Sequence, residues 1–296
     1  MQIQSLSIVV PNKSCINKCP FCVSRMVNSD IYPNKMDIND PHYDINVREY
    51  LKRLRFVADN GCQTIILTGT SEPQQNKQFL ATFSLLHQQI GSPFTNIEMQ
   101  TTGMLLENNR NYLRFLRNFV GVNTIALSLN SLSDEMNNEL LGHKMKDKFL
   151  NMKNLCDQLK EYDFNIRICC NLTGKFDVDD NPLTAVFKYF KNELHADQVT
   201  FRKMYASEED TEQNEWLKAN QFDKEPYLVM YLYNQGYKEI GRTIYGTPIF
   251  DINGMSVIYD MDCMGKNPDS DVVKYLILRP NCHLYSQWDS PASLVN

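Results

Sequence analysis

Cys15, Cys19 and Cys22, in the run Cys-Ile-Asn-Lys-Cys-Pro-Phe-Cys, are spaced C-x3-C-x2-C and follow an apolar, strand-like segment from Leu6 to Val10. A loop that turns back on itself can present three thiolates to three corners of an iron-sulfur cubane. With no fourth cysteine nearby, the last iron is left to a non-protein ligand, whereas a ferredoxin supplies all four thiolates. An open iron corner points to chemistry at the cluster. Two other readings of the triplet are a zinc site and three unrelated thiols. Structural zinc closes with four ligands, commonly in two short-spaced pairs, and no second pair follows at that distance. Soft thiolates suit iron-sulfur clusters as well as zinc.

The spacing, with Phe21 standing just before the last cysteine, resembles the motif that opens the catalytic domain of the radical S-adenosylmethionine (radical SAM) superfamily. The resemblance implies a 4Fe-4S cluster on Cys15, Cys19 and Cys22 and S-adenosylmethionine chelating the open iron. It implies one-electron cleavage of the cofactor to a 5′-deoxyadenosyl radical that takes hydrogen from a substrate, with an electron donor such as flavodoxin or ferredoxin. The cofactors would carry the hard chemistry and the protein would supply orientation and a dry cavity.

Further segments carry the same resemblance. Leu67-Thr68-Gly69-Thr70-Ser71-Glu72-Pro73 is similar to the family's Gly-Gly-Glu-Pro segment, with Thr70 and Ser71 in place of the paired glycines. By that resemblance Gly69, Thr70, Ser71 and Glu72 bind the amino group of the cofactor. Read without it, the stretch is a polar turn before a helix that Pro73 opens. Gln100-Thr101-Thr102-Gly103 resembles the Thr-Asn-Gly segment. Ser128-Leu129-Asn130-Ser131 resembles the Ser-Leu-Asp-Ser run of the molybdenum-cofactor and peptide-modifying branches. Ser128 and Asn171 are then candidates for the methionine carboxylate, ribose or adenine, against the plainer roles of helix cap and turn residue. Arg202 could meet an anionic substrate group by forked hydrogen bonds, or form a peripheral ion pair.

These segments need strand ends to hold them, and the chain supplies a series. Strand and helix patterns alternate, which predicts a parallel sheet with crossover helices. Helical spacing in Val47, Tyr50, Leu51, Leu54 and Val57 precedes an extended run over 64–67, and Phe79, Leu80, Phe83, Leu86 and Ile90 precede another over 94–99. Further extended runs fall at 122–129, 164–172 and 198–201, with a helical stretch at 134–160 broken near Gly142. With the strand before Cys15 this makes six units over residues 1–205. They fit the α/β, partial (β/α)6 TIM-like barrel that the resemblance implies, though periodicity alone also permits a doubly wound sheet. Parallel α/β sheets build their sites at the carboxyl edge. Along 164–172, alternation sends Arg167, Cys169 and Asn171 to one face and Ile166, Ile168 and Cys170 to the other.

From 206 to 296 the pattern changes to helices followed by two hairpins, one around Asn253-Gly254 and one around Pro280-Asn281. An Asn-Gly pair is a strong hairpin signal. The expectation is a small C-terminal antiparallel β extension capping or flanking the barrel. Related extensions hold auxiliary clusters on several cysteines; only Cys263, Cys282 and the adjacent His283 stand here, short of four ligands. The many tyrosines of this region complete a small core or stack on a substrate ring.

With 296 residues the chain is one large domain, or a domain with an appendage. A net charge of −5 offers no general basic face, so duplex DNA is not an expected partner. A small molecule, a peptide or a nucleotide all stay open as substrates. No secretory leader and no apolar run of about 18 residues is present, so no membrane association is expected. Nine cysteines, an odd number, fit a reducing, cytoplasmic setting. Cys62, Cys156, Cys169 and Cys170 lie among apolar neighbours and read as core. An iron-sulfur protein that transfers electrons or senses redox state without cleaving S-adenosylmethionine is the alternative, and a zinc-stabilised binding module a third.

Overall fold

The computed structural model describes residues 2–25, 31–143, 145, 148–176, 182–204, 206, 210–243, 246–260, 272–288 and 290–295. Six βα units run in order: β1 (Gln2–Val9) and α1 (Tyr43–Asp59), β2 (Thr64–Thr68) and α2 (Lys77–Gln89), then β3 (Asn96–Thr101) and α3 (Arg110–Arg114). They continue with β4 (Thr124–Leu129), α4 (Asp134–Leu141) and α5 (Met152–Glu161), β5 (Asn165–Leu172) and α6 (Leu183–Asn192), and β6 (Gln198–Lys203). Strands β1 to β6 pair in sequence, all parallel.

Helix boundaries follow local chemistry. Asn76, Asn109, Ser133 and Asn151 each stand at an N-cap and accept a hydrogen bond from the backbone N–H three residues on, which satisfies a donor the helix itself leaves open. Gly142 ends α4 in the left-handed conformation (φ +51°), the usual C-terminal stop. It divides the 134–160 helical stretch where the sequence pattern breaks.

The C-terminal region adds α7 (Glu212–Ala219), α8 (Glu225–Asn234), β7 (Lys238–Arg242), β8 (Pro248–Ile252), β9 (Met255–Asp260), β10 (Val272–Leu278) and β11 (Leu284–Tyr285). Both expected hairpins form: β8–β9 turns at Asn253 and Gly254, each with positive φ, and β10–β11 is antiparallel. Both also join the main sheet. Strand β9 pairs parallel to β6 and β10 pairs parallel to β1, so one sheet of 11 strands runs β11-β10-β1-β2-β3-β4-β5-β6-β9-β8-β7. It is a mixed sheet with a parallel core and open edges. Cys263 and Tyr245 lie outside the described residues.

The two faces of the sheet differ sharply. One carries Leu6, Ile8, Ile65, Leu67, Ile97, Met99, Ile166, Ile168 and Phe201 into a single core shared with the helices. The opposite face is apolar on β1 and β10, where Val9, Tyr275 and Ile277 cluster with Tyr32 and Tyr285, and polar across β3 to β6: Glu98 and Arg167 form an ion pair of 2.6 Å across the intervening β4, and Arg167 Nε donates to Gln198 Oε1 at 2.7 Å. Cys62, Cys156, Cys169 and Cys170 are buried.

Candidate active site

The cysteine loop leaves the end of β1 and is pinned to the ends of β2 and β3 by one buried side chain. Asn17, between Cys15 and Cys19, is 3% exposed and donates from Nδ2 to Glu72 Oε1 (3.2 Å) and Thr102 Oγ1 (3.1 Å). The same Glu72 carboxylate accepts from Gln74 Nε2 at 2.6 Å, Thr101 Oγ1 at 2.5 Å and the Thr102 N–H at 3.1 Å. A buried carboxylate is tolerated when its oxygens are saturated in this way. On the next residues, Ile16 N–H donates to Gln75 Oε1 (3.0 Å) and Gln75 Nε2 donates to Ser14 O (2.9 Å). On the far side Lys18 N–H donates to Leu141 O at 2.9 Å, at the end of α4.

Gly69 lets these segments approach closely. Val10 N–H donates to Thr68 O at 2.7 Å, and a Cβ on residue 69 would stand 2.8 Å from Val10 O. Ser24 Oγ donates to Gly69 O at 3.4 Å. Ser71 Oγ is sealed from solvent and has no hydrogen-bond partner, which leaves a buried polar atom beside the cysteine loop. Phe21 is buried against Leu140, Leu217 and Trp216, its ring 5.6 Å from the indole, and ties the loop to α4 and α7.

None of Cys15, Cys19 and Cys22 is joined in a disulfide. Burial raises the pKa of Cys15 and raises that of Cys19 further, with the charges of Cys22 and Glu72 next for Cys19. Among the described residues no three Cys, His, Asp or Glu side chains meet at the spacing of a single metal ion. A cubane asks for something else, since each thiolate binds a different iron and the thiols must surround a volume. Three thiols on one short pinned loop, with the buried Ser71 hydroxyl just past the end of β2, fit such a cluster with a polar ligand, and iron stabilises the thiolates that burial disfavours.

Ser128 and Asn171 lie on the next two strands along the same edge, β4 and β5. Ser128 is level with Cys169 in the β4–β5 register. Asn171 is 8% exposed and donates to Asn130 Oδ1 at 2.8 Å; Asn130 donates from Nδ2 to Asn137 Oδ1 at 3.1 Å. Asn137 is fully buried and its Nδ2 has no partner. Thr102 and Asn130 lie inside the two strand-end segments that carry the resemblance, whereas Asn17, Asn137 and Trp216, brought to the same edge by the fold, were not among the sequence candidates. Their only sequence signal is position, within or beside segments already singled out.

The architecture and donor set define an α/β barrel-type enzyme with a three-thiolate cluster loop at the carboxyl edge of a parallel sheet. The model of the Radical SAM superfamily matches residues 9–190, and the chain belongs to that superfamily. Its cofactors are accordingly a 4Fe-4S cluster and S-adenosylmethionine, and it needs a reductant and a substrate.

No curated protein matches the chain in sequence. Among solved structures, anSMEcpe with bound AdoMet is similar at 17% identity and a TM-score of 0.59, over 100% of this chain and 74% of that one. Coproporphyrinogen III oxidase (HemN) from Escherichia coli is similar at 16% identity and a TM-score of 0.51, over 81% of this chain and 54% of that one. Methylornithine synthase (PylB) is similar at 14% identity and a TM-score of 0.51, over 91% of this chain and 74% of that one. These likenesses show the fold. Among the described residues no helix is long and apolar enough to cross a membrane.

Proposed function

We propose that the chain cleaves S-adenosylmethionine reductively and uses the resulting 5′-deoxyadenosyl radical to take hydrogen from a polar substrate held against the Glu98–Arg167 face of the sheet. The observation that carries this reading is the Asn17–Glu72–Thr102 clamp, which fixes a three-thiol loop at the ends of β2 and β3. Bound there, the cluster and S-adenosylmethionine supply one electron and a primary carbon radical. Cys15, Cys19 and Cys22 hold the cluster. The strand-end segment Gly69, Thr70, Ser71 and Glu72 receives the amino group through its backbone, Ser128 and Asn171 receive the carboxylate, ribose or adenine, and Phe21 walls the cluster side.

Support for a polar substrate comes from the face that would meet it. The Glu98–Arg167 pair closes its floor, with Thr200, Arg202 and Asn171 nearer the carboxyl edge. Small molecules, peptides and nucleotides all offer such groups, and one similar solved structure is of anSMEcpe with a bound peptide. Residues 1–205 carry the cofactor contacts, residues 206–296 complete the sheet at both edges, and a cytoplasmic flavodoxin or ferredoxin serves as donor.

The test is anaerobic reconstitution with iron and sulfide, followed by S-adenosylmethionine and dithionite and quantification of 5′-deoxyadenosine. Single Cys15→Ala, Cys19→Ala and Cys22→Ala variants are expected to lose the iron-sulfur charge-transfer absorbance and nucleoside formation together. An assembled cluster that fails to bind S-adenosylmethionine would move the assignment to electron transfer or redox sensing.

A further inference from the structure

A cavity of about 670 Å³ opens beside the carboxyl end of β1. It is bounded by Val9 and the 11–13 segment, by the 32–39 loop, by Tyr43 of α1, by α2 and by Arg279 with Pro280 beyond β10. None of Cys15, Cys19, Cys22, Glu72, Ser128 or Asn171 lines it; Thr70 is the one member of the proposed cofactor contacts on its wall. Its volume lies within the range of small-molecule sites, roughly 300–1,000 Å³.

Arg279 sets its chemistry. The side chain is 3% exposed, and among the described residues no carboxylate lies within ion-pair distance of it. Its guanidinium carbon stands 3.7 Å from the centroid of the Tyr32 ring and 5.6 Å from those of Tyr285 and Trp288. Nη2 donates to Trp288 O at 2.5 Å, and Nε is buried without a partner. Aromatic faces stabilise a cation but do not neutralise it. Burying an unpaired charge is costly, and burial pulls this group's pKa down. The other charged residues on the wall are Lys13 and Asp37, and Lys13 already acts on the Asp37 carboxylate. A buried guanidinium without a carboxylate partner among the described residues therefore borders a cavity large enough for a ligand.

We infer that this cavity is a second ligand site, separate from the cofactor cleft, which takes a small molecule through an oxyanion, carboxylate or phosphate, held by Arg279. A guanidinium matches both geometries by paired hydrogen bonds. Tyr43 and Phe79, which also line the cavity, suit a ring or short apolar body attached to the anion. The bound molecule touches the 11–13 segment and Thr70, so it sits against the two strands of chain that lead into the cluster loop and the cofactor loop.

The test is calorimetric titration of the full chain at constant ionic strength with inorganic phosphate, phenyl phosphate and benzoate, which does not depend on cluster assembly or turnover. Saturable one-site binding is expected. Selective binding of the phosphates or of benzoate identifies which oxyanion the site takes. Arg279→Met should weaken binding tenfold or more, the order expected when a charge-assisted partner is removed. Thr82→Phe narrows the cavity from α2 without touching Arg279 and should weaken it as well, so loss of fold in the arginine variant does not decide the question. Heat of dilution alone for all three probes with the unmodified chain, or unmodified affinity in both folded variants, overturns the proposal.

Discussion

Glu72 holds more of the site together than any other single side chain. Its two oxygens accept from Asn17, Gln74, Thr101 and the Thr102 N–H, so Glu72→Gln places an amide N–H2 among donors. Leaving buried donors unpaired costs about 1–3 kcal/mol each. The variant should unfold at lower temperature in a thermal scan and retain less iron after desalting. Gly69→Ala attacks the same junction by volume, since its Cβ would stand 2.8 Å from Val10 O. Overpacking against backbone costs about 1–3 kcal/mol; a denaturant midpoint equal to that of the unmodified chain would show that the β1–β2 junction gives way freely. The sequence pointed to Glu72 through its neighbours' resemblance to a known segment. Its carboxylate's partners were not legible, because Asn17 is 55 residues away and Thr102 is 30 residues away. Nothing local marks Asn17 as the clamp.

At the scale of the element, alternation was readable wherever one face of a strand meets helices. In β5, Ile166, Ile168 and Cys170 enter the shared core while Arg167 turns to Glu98 on the other face. The period of two leaves little freedom once one face must be apolar. Helix α2 offers a pH test. Its His87 is buried between Phe83 and Phe94, at ring distances of 5.9 and 5.2 Å, and Nε2 accepts the Phe94 N–H at 3.1 Å. Burial lowers its pKa below the ordinary 6.5. The unfolded chain then binds the proton more readily than the folded one, so stability rises with pH through this window and is lost as pH falls through about 6.5. Calorimetric unfolding between pH 7.5 and 5.5 should show a decline in melting temperature, and His87→Leu should flatten it. An unchanged slope in that variant assigns the decline to other groups.

At the scale of the whole molecule, the six βα units were legible as a repeating pattern, but the destinations of the later strands were not. The Asn253-Gly254 turn predicts a hairpin, and the hairpin forms. Nothing in its sequence says that β9 joins β6, or that β10 crosses to the far edge beside β1, because such pairings are decided by which edges remain open. Strand β7, at one end, exposes all five of its residues and carries Lys238, Glu239 and Arg242, charges that discourage further edge pairing. Strand β1 relies on β10 for protection instead. A chain ending at Asp260 should therefore uncover the apolar side of β1 and collect in the insoluble fraction. Recovery of that truncation as a monodisperse, iron-binding protein would show that β10 is dispensable.

The adjacency of β1 and β10 also has a consequence in time. Ser5 Oγ donates to Lys274 O across 269 residues of sequence, so on the ribosome the first strand emerges long before the neighbour that covers it. The cysteine loop follows that strand, and its β2 and β3 anchors are made early while the other flank of β1 stays bare until Val272–Leu278 has been made. Stalled nascent chains should remain protease-sensitive around Cys15 until β10 clears the exit tunnel, which would place metallation of this protein after the emergence of β10 and not with that of the cysteine loop.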